Sequence, residues 1–187
     1  MQPKVLTVCA LLINLQPLLT ACTRNNPDQD PQLTANLAAP YDYYIASMHS
    51  TRFDTAGSLQ YTLSAKRATH FPTDNHAELF EPLLHWVPAD GAPWTVTAHQ
   101  GNLHQRDGAD ELTLYEDVTA STTLSQSGPV RLETSSLDLL PARQLAQTLA
   151  AVLLTTPSIQ LQGSGLELDL SDNTIDLRND VRGHYEP

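Results

Sequence analysis

At 187 residues and a net charge of −11, the chain has room for one domain and a leader, and is too acidic to bind nucleic acid or an anionic membrane surface through a basic patch. From Tyr41 onward stand 19 acidic and 8 basic residues, so the whole net charge lies in the body. Both cysteines, Cys9 and Cys22, lie near the N-terminus, which excludes a disulfide framework or a thiol-rich metal site from the rest. Aromatic residues make up only 6% of the chain, so its core must be built from Leu, Val and Ala.

Residues 1–22 are an apolar signal or anchor segment. As a membrane span, Val5–Cys22 covers about 27 Å at ~1.5 Å per residue, short of the ~30 Å hydrocarbon core, and Asn14, Gln16 and Pro17 weaken it further. As a signal peptide, its short apolar part Val5–Ile13 and the following small-residue site fit better. Leu19-Thr20-Ala21-Cys22 has the form of a bacterial lipobox, with Cys22 the acylated residue. Residues 23–40, with Pro27, Pro31 and Pro40 among polar residues, form a tether.

From Tyr41 to Pro187 the pattern is that of strands. In Leu59-Gln60-Tyr61-Thr62-Leu63-Ser64-Ala65 the odd positions are apolar and the even ones polar, which puts one dry and one wet face on a single strand. The same alternation returns at Trp94–Ala98, Val130–Thr134 and Ile159–Gly163, each copy followed by a second apolar pulse: Leu103, then Leu137 and Leu139, then Leu166, Leu168 and Leu170. Tyr61, Val96, Leu132 and Leu161 are spaced by 35, 36 and 29 residues, which predicts stacked units, each a hairpin or strand pair. Two more strands are expected at Leu112–Val118 and Ile175–Val181. Hairpin tips are expected at Asp54–Gly57, Asp90-Gly91, Asp107-Gly108 and Asp172-Asn173. Pro82 confines its strand to an edge or a bulge. Pro141–Ala151 has helix-forming residues, but the surrounding pattern predicts a turn followed by a strand.

No chemistry declares itself. The seven histidines lack metal-ligand spacing and read as scattered, solvated side chains. Acids such as Glu133, Asp169 and Asp176 fall on wet faces or turns; no serine sits in a nucleophile elbow, and no phosphate loop is present. The expectation is a protein that is not an enzyme and carries no cofactor. What remains is the dry face: Leu59, Tyr61, Leu63, Trp94, Val96, Leu112, Leu114, Leu132, Leu137 and Leu139. It is either the closed core of a sandwich or an apolar groove for acyl chains.

Asp42-Tyr43-Tyr44-Ile45, then Thr51–Ala65, Pro93-Trp94, Gly163-Ser164-Gly165-Leu166 and Asn179–Pro187 follow one another in an order that resembles the LptC family of lipopolysaccharide-export proteins. The resemblance covers about Tyr41 to Pro187. It implies an all-β fold, a bent, partly open β-jellyroll of two antiparallel sheets, held at the inner membrane and standing in the periplasm. It further implies that the body receives lipopolysaccharide from the LptBFG transporter and passes it to LptA, which docks on a C-terminal edge carrying Ile175, Leu177 and Val181. The ten dry-face residues would then line the lipid groove. The chain departs from the family at its start, where an uninterrupted membrane helix is usual. The alternative is a periplasmic carbohydrate-binding or structural β-sandwich with a closed core.

Overall fold

The computed structural model describes residues 40–106, 108–125 and 128–185, and all of the regular structure there is strand apart from one 3₁₀ turn, Pro141–Arg143. The strands are β1 Tyr43–Phe53, β2 Leu59–Phe71, β3 His76–Trp86, β4 Trp94–Thr97, β5 Gln100–Arg106, β6 Ala109–Leu124, β7 Gly128–Leu140, β8 Leu145–Thr155, β9 Ile159–Asp169 and β10 Thr174–Tyr185. All pair antiparallel in one sheet of order β1-β2-β3-β4-β6-β7-β8-β9-β10, with β5 also bridging β3 and β6. The two layers expected of a jellyroll are therefore two halves of one continuous sheet.

What makes two layers of one sheet is a crease. The β1–β2 ladder skips Ser47 and Lys66, and the β2–β3 ladder skips Lys66 and Glu81. Farther along, the ladders shift at Tyr115/Val118, Thr134/Asp138, Thr148/Ala151 and Asn179/Arg182. Ser47, Glu81, Glu116, Asp117 and Asp180 hold positive φ there. β4 and β5 are the two arms of one strand broken at Ala98-His99, with β4 pairing the upper half of β3 and β5 its lower half. Across Ser47, Lys66 and Glu81 the register is kept with one residue unpaired on each strand, whereas from β6 onward the shifts leave an extra residue in one strand. Either irregularity breaks the ladder locally, and the extra residue bends its strand and increases the twist. Repeated at one level in neighbouring strands, such breaks fold the sheet over on itself.

The crease also changes which residues point inward. β2 buries Tyr61, Leu63 and Ala65, then Ala68; β7 buries Val130, Leu132 and Thr134, then Leu137 and Leu139. The paired apolar pulses predicted as hairpins are thus the two arms of single creased strands, because one irregular residue shifts a period-two pattern by one place. Pro82 pairs with Ala65 on the interior strand β3, beside the unpaired Glu81 and level with the break between β4 and β5, so its strand is not the edge expected. Pro141–Thr155 is a turn followed by a strand, as expected. Asp54 builds the first tip by accepting bonds from the amides of Ala56 and Ser58, both at 2.8 Å. The predicted tips at Gly91, Gly108 and Asn173 fall between strands; Asp107 lies outside the described residues.

Candidate functional site

Nine of the ten predicted dry-face residues, Tyr61, Leu63, Trp94, Val96, Leu112, Leu114, Leu132, Leu137 and Leu139, are buried in one apolar cluster between the layers. Its buried strand members come from β2, β3, β4, β6, β7, β8 and β9, and Leu103 of β5 and Ile175 and Leu177 of β10 pack against it. The interior thus runs along the sheet as one apolar body. Leu59 is the exception. At 37% exposure it lies at the mouth of β2, beyond the packed layer, on a cleft of about 440 Å³ shared with Trp86, Pro88, Pro141 and Gln144.

Tyr61 has a polar tie that alternation alone does not reveal. Its hydroxyl donates to Asp110 Oδ2, Gln105 Nε2 donates to Oδ1 at 3.2 Å, and Arg52 Nε stands 3.6 Å from Oδ2. Arg52 also donates to the carbonyl of Gly108. Burial foremost, then the Asp110 carboxylate, push the Tyr61 phenol well up from its ordinary value. The sequence signal for this cluster was a tyrosine among aliphatic dry-face residues, since a buried phenol usually finds a polar partner.

The ends of the path, β1 and β10, are each paired on one side among the described residues. Ile175 and Leu177 are half-buried, while Val181 is 50% exposed and outside the regular ladder, packed over Gly163 beside the crease. The predicted edge triad is therefore split: two of its members partly serve the core. β1 presents Tyr43, Tyr44, Ile45 and Phe53 to solvent, an apolar edge that sequence reasoning passed over although Tyr43-Tyr44-Ile45 breaks the alternation. Cys22 lies outside the described residues, as does the whole signal or anchor segment; among the described residues no helix is long and apolar enough to cross a membrane.

Two of the histidines expected to be scattered are paired: His76 and His104 stack across β3 and β5 with ring centroids 5.2 Å apart. No group of three metal-binding side chains occurs among the described residues. His70, near the end of β2, meets Asp42 with Nδ1 2.7 Å from Oδ1, and Tyr43 stacks on its ring. The bond to His70 is the main cause holding the Asp42 carboxyl below its ordinary value, and the same bond holds the His70 imidazole above its own. The histidine's contribution is complete below its ordinary 6.5 and is lost as pH rises through the raised folded value. That of Asp42 is present above its ordinary 3.8 and is lost as pH falls through the lowered one. The pair is therefore fully formed between those values. Asp42→Asn is expected to return the NMR titration midpoint of His70 toward 6.5; an unchanged midpoint would mean that the two groups do not interact in solution.

The described residues thus form a creased antiparallel sheet around an apolar interior. The family model for lipopolysaccharide-assembly, LptC-related proteins matches residues 7–186, and the chain belongs to that family. It is accordingly a non-enzymatic component of lipopolysaccharide transport. Among solved structures it is similar to LptH from Pseudomonas aeruginosa, described as the LptA-homologous periplasmic component of the conserved lipopolysaccharide transport device. The TM-score is 0.56 at 8% identity, over 68% of this chain and 95% of that one, a likeness of fold alone. No curated protein matches the chain in sequence.

Proposed function

We propose that the body stands on the periplasmic side of the inner membrane, receives lipopolysaccharide from LptBFG and passes it to LptA, with the acyl chains held between the two layers. The observation that carries this reading is the apolar interior that spans the sheet from β2 to the half-buried face of β10. Acyl chains are the part of the substrate such a surface recognises. Burial is worth about 0.8 kcal/mol per methylene, whereas the substrate's phosphates meet a body whose net charge is −11. LptA would dock on the outer side of β10 by strand addition, where main-chain hydrogen bonds supply affinity and alternate side chains supply register. The N-terminal segment tethers the body either as a membrane span or through an acylated Cys22; fatty-acid labelling of Cys22 separates the two.

Trp86 and Trp94 form a buried cross-strand pair in this interior. A lipid A analogue is expected to shift their fluorescence, and a soluble oligosaccharide to leave it unchanged. The reverse response would favour the carbohydrate-binding sandwich.

A further inference from the structure

We propose that the side of the molecule opposite the crease is a lateral port. It is held shut by a clasp of Tyr61, Asp110 and Arg52 and by a latch at Gln144, and the acyl part of lipopolysaccharide enters through it sideways. The inference rests on the carrier reading above and adds the route and its fastenings.

The two layers share continuous strands, and so covalent chain, only at the crease. On the far side two rows of hairpin tips meet. One row holds the β1–β2 tip and the 87–93 loop; the other holds the β5–β6 tip, the Pro141–Arg143 turn and the β9–β10 tip. The ties between these rows run largely through side chains. Arg52 and Tyr61 of the first row reach Asp110 at the start of β6, and Arg52 also takes the Gly108 carbonyl. Gln144 accepts the Ala89 amide through Oε1 at 3.0 Å, while its own carbonyl accepts the Leu170 amide at 2.8 Å. It holds φ 53, a left-handed conformation that costs a non-glycine residue some strain, at the point where three elements meet. Gly91 closes on Asn173 so tightly that a Cβ there would stand 2.8 Å from the amide oxygen.

The interior behind these ties is full. Leu63, Leu84, Leu114, Leu132, Leu137 and Leu139 are all within 2% of complete burial. An acyl chain therefore needs the layers to part. Parting them within the sheet would break ladders of backbone hydrogen bonds, whereas parting them at the tips breaks a handful of side-chain ties. The tips are the weaker boundary. Polar groups at that boundary also keep the glycan and phosphates of the substrate in water while its chains pass inward.

The test uses the full chain, with spin labels on ketone side chains introduced at Ser58 and Ala142 so that Cys9 and Cys22 stay untouched. Both positions line the cleft at the tips, Ser58 from the β1–β2 tip and Ala142 from the Pro141–Arg143 turn. Purified lipopolysaccharide is expected to lengthen the label distance by about 5 Å, half the ~10 Å spacing of packed sheets. Asp110→Asn and Tyr61→Phe each remove part of the clasp and are expected to speed lipopolysaccharide association about two- to tenfold, the factor that one net hydrogen bond carries. Tyr61→Phe keeps the buried ring, so a fold-intact variant is available even if the charge change at Asp110 disturbs folding. Bound lipopolysaccharide with a fixed label distance and wild-type association rates would overturn the port and leave the carrier reading standing, with loading from a sheet end. A wild-type chain that binds no lipopolysaccharide would remove both.

Discussion

Leu114→Ala is expected to destabilise the domain by about 2–5 kcal/mol, the range for deleting a fully buried leucine, read as a lower urea midpoint at unchanged slope. Leu114 sits on β6 in the centre of the interior with no exposed surface, and its pairing partners are Leu137 of β7 and Gly101 of β5. Gly101 explains why the cost should be high. A Cβ at Gly101 would lie 2.7 Å from Leu114 Cδ2, so the glycine exists to admit this leucine and few atoms stand ready to refill the cavity. Gly101→Ala alone should therefore cost about 1–3 kcal/mol by overpacking. Combined with Leu114→Ala it should cost less than the sum, because the added methyl occupies space the leucine has left. Strict additivity in the urea midpoints would mean that the two positions do not share this space.

The second large effect is expected at β10. In an antiparallel pair, successive residues turn their N–H groups alternately toward the neighbouring strand and away from it. Asp176 and Leu177, opposite Glu167 and Leu166, are consecutive, so proline at one removes a bond to β9 and proline at the other removes a donor from the outer side. One of Asp176→Pro and Leu177→Pro should lower the melting temperature by several degrees; the other should leave it near wild type while reducing capture of LptA by about tenfold or more. Leu177→Ala separates side chain from backbone: Leu177 is half-buried against the core, so its alanine variant should lower stability and spare capture. If both proline variants capture LptA normally, β10 is not the docking edge.

Much of this was legible in the alternation of Leu59–Ala65 and its relatives, since period-two patterning reports the buried face of a strand directly, and nine of ten chosen residues lie in the core. The crease was not legible. On β2, β3 and β7 it is made by single irregular residues, Lys66, Glu81 and Ser135, polar and unremarkable in sequence, whose effect is to shift the pattern by one place. That shift made the arms of one strand look like two strands. Leu59 was misplaced for a related reason: alternation gives the face of a side chain but not whether the opposite layer extends far enough to cover it. The clasp joins Tyr61 to Asp110 across 49 residues and opposite layers, a contact that follows only once the sheet is known to fold over.

The most direct measurement places a photoreactive side chain in turn at Leu132 and Glu133, neighbours on β7 that face the interior and the solvent. In membranes carrying LptBFG, LptA and lipopolysaccharide, the probe at Leu132 is expected to crosslink to lipopolysaccharide only when ATP is supplied, and the probe at Glu133 to remain unlabelled. Equal labelling at the two positions, or none at Leu132 while lipopolysaccharide still reaches LptA, would contradict passage through the interior.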